Sequence, residues 1–306
     1  MKWLQSTTVM KKPGTRRFEI LPDTSALGSR PSVVAAFCLI LISAASVSAE
    51  TFAVIAPEKT ELSAQAADAF SSELGKRFKV LDRDLSEAAF RAFEFTSPFN
   101  LDLETARNVG AAIGSANFVL LKAGVQRRSR FGRGTYYESH VAVFVIDSAT
   151  GRMTSFSISL REEDSERKAV ETMIGSARSE AVLLVSNAGS KLSAGLPYDP
   201  PPELSGKENE IIRPPMPYSR IKPAYPEIAD LLGIEATVDV DVAISGDGSV
   251  EKVDVIRWAG FGLEESVKEA IRTMRWRPAE RDGEFLPMRV LLRYNFRDLE
   301  EDPENE

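Results

Sequence analysis

Pro223–Phe296 changes its hydrophobic period twice, and no single element can follow both periods. Val238, Val240, Val242 and Ile244 alternate with Asp239, Asp241 and Ala243, the spacing of a half-buried strand. Ser245–Gly248 (SGDG) is rich in residues that tolerate positive φ, so the chain turns back there into Val250–Ile256. The apolar spacing slips between Val250 and Val253, which predicts a β-bulge. From Leu263 the period becomes helical: Leu263, Val267, Ala270, Ile271 and Met274 share one face, with Glu264, Glu265, Lys268, Glu269 and Arg272 on the other. Met288, Val290, Leu292, Tyr294 and Phe296 then alternate again, with Arg289 and Arg293 opposite. Hairpin, helix and strand in that order predict a small two-layer ββαβ domain of the α+β class over 223–297.

The order of these signals resembles the C-terminal domain of TonB, the periplasmic energy transducer of Gram-negative bacteria. The resemblance spans about 215–297, roughly the last quarter of the chain. It rests on Pro223-Ala224-Tyr225-Pro226, Gly233-Ile234-Glu235 and Asp247-Gly248. Met274-Arg275-Trp276-Arg277-Pro278-Ala279, Asp282-Gly283 and Val290–Phe296 complete it. Ala236 departs from the pattern, since the family usually has glycine after Ile-Glu. The resemblance implies that the last strand takes up the TonB box of an outer-membrane transporter by strand addition.

Composition narrows the function classes. At 306 residues there is room for two modest domains and linkers. A net charge of -7 and a pI near 5.2 argue against nucleic acid as a partner. They also weigh against a strongly anionic membrane as the main one. Cys38 is the one cysteine and sits in the apolar N-terminal run, which excludes a disulfide framework, a cysteine zinc site and a cysteine nucleophile. With His140 the one histidine, a multi-histidine metal site within one chain is excluded too. No phosphate-binding glycine loop or nucleophile elbow is present, so no catalytic, cofactor-binding or metal-binding residue is assigned and the chain reads as a non-enzyme.

Residues 1–49 read as an export signal. A basic front with Lys11, Lys12, Arg16 and Arg17 precedes the apolar run Val33–Val47, and Val47-Ser48-Ala49 offers small residues for cleavage before Glu50. The run is about 15 residues long, short of the roughly 20 a spanning helix needs. The localisation expected is the periplasm; the rival is an uncleaved inner-membrane anchor facing it. The TonB anchor carries a histidine for its proton-driven motor partners, and Val33–Val47 has none. Motor partners in the inner membrane follow only from the uncleaved form.

Residues 50–188 predict a second unit, of the α/β class. Strands are expected at Phe52–Ala56, Phe78–Asp82, Asn117–Val125, Tyr136–Asp147 and Met153–Leu160. Helices are expected after Thr60, over Leu85–Phe93 and Leu101–Ile113, and from Asp164 to Val185. Val80-Leu81-Asp82-Arg83, the passage Gly110–Leu120 and Val145–Gly151 give this unit a resemblance to the fold shared by the TolB N-terminal domain and CsgG-like proteins. That resemblance implies an envelope assembly or interaction module; a secretion or assembly role through this unit would predict ring-like homo-oligomers. Residues 189–222 carry Pro197, Pro200, Pro201, Pro202, Pro214, Pro215 and Pro217 and read as an extended linker. Residues 298–306 read as an acidic disordered tail.

The candidate site is the last strand: Met288, Arg289, Val290, Leu291, Leu292, Arg293 and Tyr294. In a ββαβ order it falls at a sheet edge, whose unpaired N–H and C=O groups can accept a strand from an outer-membrane transporter or another envelope protein. The plain alternative is that it closes the core, with Arg289 and Arg293 as charged guards of the edge. Tyr225 and Pro226 either join that surface or dock the lead-in onto the sheet. The loop Arg127–Gly134, with Tyr136 and Tyr137, is either a solvated hairpin tip or a contact for glycan or lipid headgroups.

Overall fold

The computed structural model describes residues 50–132, 134–191, 196–200 and 212–297. The export signal, the acidic tail and part of the proline-rich stretch lie outside these residues. Among the described residues, two larger sheets, two small ones and six helices give a mixed α+β chain.

In the first sheet, β1 (Thr51–Ile55) runs parallel to β2 (Lys79–Val80) and β3 (Asn117–Arg130). β4 (Gly134–Asp147) and β5 (Met153–Glu163) extend it as an antiparallel meander, in the order β2-β1-β3-β4-β5. Parallel neighbours need crossovers. These are α1 (Glu61–Leu74), then α2 (Arg83–Arg91) and α3 (Leu103–Ile113). Thr60 caps α1 by accepting from the Ser63 N–H at 3.1 Å, and Ser63 Oγ donates to the Ala123 carbonyl at 3.1 Å, which pins the helix to β3. After β5, α4 (Glu166–Lys191) returns over the sheet with Ala169, Met173, Ala177, Ala181 and Leu184 buried at helical spacing.

Strand alternation gives this sheet two apolar faces. Phe52, Val54, Val119, Leu121 and Val143 pack in one cluster with α1 and α4. Ala53, Ile55, Phe118, Leu120, Phe144 and Ile146 belong to the other, with α3. This second face is not covered by α2 and α3 alone.

The last third of the chain covers the rest. Its described part begins with β6 (Ile212–Arg213), β7 (Met216–Pro217) and α5 (Glu227–Leu231), followed by β8 (Ala236–Ile244), β9 (Val250–Arg257) and α6 (Leu263–Thr273). β10 (Trp276–Arg277), β11 (Ala279–Arg281), β12 (Glu284–Leu286) and β13 (Met288–Phe296) complete it. β13, β8 and β9 form an antiparallel sheet in that order. The bulge falls inside the expected window: Ala243 pairs with Lys252 and Ile244 with Val250, so Glu251 is the extra residue. The proline-rich stretch is more structured at its end than an extended linker. β7 pairs with β10 and β6 with β11, the two short strands being separated by Pro214-Pro215, which donate no backbone N–H.

Val238, Val240, Val242, Ile244, Trp258, Phe261, Leu263, Val267 and Ile271 fall in the same buried cluster as Phe118, Leu120 and Phe144. The two sheets therefore share one apolar layer.

Candidate functional site

Of the two edges of the C-terminal sheet, β9 is met at its last residue by the unit that carries the first sheet. β9 ends at Arg257, where Asp102 forms an isolated antiparallel bridge to it. The Trp258 N–H then donates to the Leu101 carbonyl at 3.3 Å. Beyond the end of β9, the Asn100 side-chain amide does the work of a strand. Its Nδ2 donates to the Thr237 carbonyl at 2.8 Å and to the Trp258 carbonyl at 2.7 Å, and its Oδ1 accepts from the Thr237 N–H at 2.9 Å. A primary amide carries the same donor and acceptor as a peptide unit, so β8 keeps its pairing after β9 has run out.

The other edge is β13. All nine residues, Met288 through Phe296, pair with β8, from Met288↔Ile244 to Phe296↔Ala236. No other strand joins β13 among the described residues. In an antiparallel ladder alternate residues turn their N–H and C=O away from the partner, so every second residue of β13 presents both groups outward. Val290, Leu292 and Tyr294 turn half-buried side chains to the core, while Leu291 on the other face is 62% exposed.

Arg289 and Arg293 are not free charges guarding the edge. Arg293 is bidentate to Asp239, through Nε at 2.7 Å and Nη2 at 2.9 Å, and Arg257 Nε reaches the same carboxylate at 3.0 Å. Arg289 Nη2 donates to Asp241, whose side chain is fully buried, and Arg289 Nη1 donates to the Asp199 carbonyl at 2.8 Å. Tyr198 Oη donates to Asp241 at 2.8 Å, and its ring lies under the Arg289 guanidinium at 5.4 Å. Leu196–Pro200 therefore crosses the outer face of the sheet as a strap. Burial alone would raise the Asp239 pKa, but hydrogen bonds from Arg293 and Arg257 outweigh it and hold the carboxyl below its ordinary value. Burial and the hydrogen bond to Asp241 push the Tyr198 hydroxyl up to about 12.

Tyr225 and Pro226 support the edge from below. The Tyr225 hydroxyl donates to the Ile234 carbonyl, and its ring meets Phe296 edge-on at 5.6 Å. Pro226 occupies the N-cap position of α5 with φ -64°. Trp276 is buried while Arg275 beside it is exposed.

What fixes the edge in space is the loop Trp258–Gly262. Gly260, Phe261 and Gly262 all adopt positive φ, at 74°, 55° and 82°. A Cβ on Gly260 would come within 2.8 Å of the Phe144 and Phe156 rings, so only glycine lets the loop lie this close. Phe261 packs on Phe156 at 5.0 Å and on Phe144 at 5.8 Å. Trp258 Nε1 donates to the Gly151 carbonyl at 3.1 Å. Glu264, buried at the start of α6, accepts from the Ala259 and Gly260 N–H groups at 2.6 and 2.7 Å. Burial raises its pKa although those two donors favour the anion. At the Phe296 end of β13, a cavity of about 680 Å³ opens between Phe93, Phe95 and Asn100 on one side and Thr237, Arg293 and Arg297 on the other.

The paired charges had a signature that the reading of β13 missed. Two aspartates and two arginines two and four residues apart, on strands expected to pair, predict cross-strand ion pairs. Asn100, Tyr198 and the seating of Phe261 on Phe144 carry no such pattern. His140 is a buried strand residue against Gly124, its pKa lowered by burial and by Lys122. No group of metal-ligating side chains is present among the described residues.

Residues 221–297 match the family described as Gram-negative bacterial TonB protein C-terminal. Among solved structures, the TonB C-terminal domain of Pseudomonas aeruginosa is 22% identical, with a TM-score of 0.26, over 29% of this chain and 90% of that one. A hypothetical protein of Chlamydia trachomatis is 12% identical (TM-score 0.33), over 45% of this chain and 97% of its own. A Neisseria meningitidis lipoprotein is 10% identical (TM-score 0.32), over 45% of this chain and 99% of its own. No curated protein matches the chain.

Proposed function

We propose that this chain works on the periplasmic side of the cell envelope, where the β13 edge takes up an extended segment of an outer-membrane transporter or another envelope protein. The observation that supports this reading is the length of the β13 edge: nine residues pair with β8 on one side, and no other strand among the described residues joins the other, whereas β9 is bridged by Asp102 at Arg257. Strand addition there supplies backbone hydrogen bonds for affinity, and side chains beside Leu291 and the half-buried Leu292 and Tyr294 supply selectivity. No catalytic step belongs to this role.

A non-energised adaptor suits the structure better than a transmitter of proton-motive force. A pulled domain must move apart from its surroundings, yet Trp258, Phe261 and Asn100 tie this one to the first sheet. The decisive measurement is an amide-shift titration of the protein with extended peptides from transporter N-termini. The expected result is perturbation at alternate residues of β13. Shifts confined to β5 or β9, or none along β13, would sink the edge-pairing reading.

A further inference from the structure

β5 closes one side of the first sheet, and no described strand pairs with its outer edge. Its eleven residues make it a longer edge than β13. Exposed edges are ordinarily kept short or guarded by proline, lysine or other charges. The opposite edge of this sheet, β2, follows that rule with two residues. β5 does not: Thr154–Leu160 (TSFSISL) holds no charge, no proline and no glycine. Phe156, Ile158 and Leu160 stand half-buried on one face of it. On the other, Leu183 of α4, 53% exposed, borders a groove beside Ser155 and Ser157.

We infer that this edge is the two-fold interface of a homodimer, β5 pairing antiparallel with β5 of a second copy. Charge order selects that occupant. The ionisable groups of β5 are its last three residues, Arg161, Glu162 and Glu163, and Asp164 follows them. Parallel pairing of two copies would set acid against acid. Antiparallel pairing lays the acidic end of each copy beside the uncharged start of the other. It also brings Arg152, which lies 3.6 Å from Asp254, level with Asp164 of the second copy. Full overlap of the two strands puts the axis at Ile158. A two-fold axis normal to the sheet keeps each face on its own side, so Ser157 meets Ser159 and Phe156 meets Leu160. The pairing satisfies the outward backbone groups of β5 and joins two five-stranded sheets into one. It does not depend on the role given to β13.

The test is cross-linking of the full chain in mild detergent, with Cys38→Ser as background so that each added cysteine is the sole one. A short bismaleimide links thiols on directly opposite residues, whose Cβ atoms lie about 5 Å apart. Ile158→Cys should give a linked dimer, while Ser72→Cys, on the exposed side of α1, should not. Clustering through the apolar run 33–47 would link both alike. Ser155→Cys mixed with Arg161→Cys should link about tenfold more than Ser155→Cys alone, because the two copies of residue 155 stand roughly 20 Å apart. Equal linking at 158 and 72, or none at 158, would overturn the proposal. Self-linking at 155 above that of the mixed pair would show a parallel contact and overturn it as well.

Discussion

The two faces of β8 solve opposite problems within one strand. On one side Val238, Val240, Val242 and Ile244 enter a core shared with the first sheet. On the other, Asp239 and Asp241 are almost as buried, but each is held by guanidinium groups and, for Asp241, by Tyr198. The apolar face accepts any well-fitting cover, since the hydrophobic effect has no direction. The polar face needs donors for its carboxylates, and Asp241 receives them at Oδ2 while its buried Oδ1 has none. A strand with one apolar and one ion-paired face has one register, because a one-residue slip would exchange the two.

Mutations can break that contrast. Phe261→Ala removes the ring that joins the two sheets and should cost about 3–5 kcal/mol in denaturant unfolding. A cost below about 1 kcal/mol would mean that the shared layer contributes little. Asp241→Ala leaves Arg289 and the Tyr198 hydroxyl without their acceptor, with an expected cost of about 2–3 kcal/mol. Asp241→Leu should recover part of it if burial alone matters on this face. Asn100→Ala strands the Thr237 N–H and C=O and should cost about 1–2 kcal/mol, with faster amide exchange at Thr237 and unchanged exchange at Val242.

The smallest effect is a difference in pH slope between two buried carboxylates. Glu264 has a raised pKa, so its contribution is full below about 4.5 and is lost as pH rises through the raised value. Asp239 has a lowered one, so its contribution is present above 3.8 and is lost as pH falls through the depressed value. Glu264→Gln should therefore flatten the decline in stability above pH 4.5 and leave the acid limb in place. An unchanged slope above that pH would show that Glu264 is ionised in the fold without penalty.

Much of the C-terminal sheet was legible because its residues obey local rules. The alternation in β8 and β13, the helical spacing of α6 and the slipped spacing at Val250–Val253 each fix an element or a bulge. The turn after β4 obeys equally local rules: Asp147 Oδ1 accepts from the Thr150 N–H and hydroxyl at 2.7 Å, and Gly151 takes φ 70°. What stayed hidden depends on distant partners. Nothing near Gly151 announces that its carbonyl receives the Trp258 indole, and nothing near Asn100 marks it as a substitute for a strand. Arg289 and Arg293 read as edge charges because their partners, Asp241 and Asp239, lie across the sheet, 48 and 54 residues away in sequence.

The Asn100 amide also bears on the order of assembly. It satisfies Thr237 from 137 residues upstream. The C-terminal sheet can finish its ladder only after that long loop has closed, and contacts of such separation slow folding. Because the chain emerges N-terminus first, the earlier sheet is in place as a template when β8 arrives. An excised 221–297 fragment would lose that template and expose Trp258 and Phe261 to water.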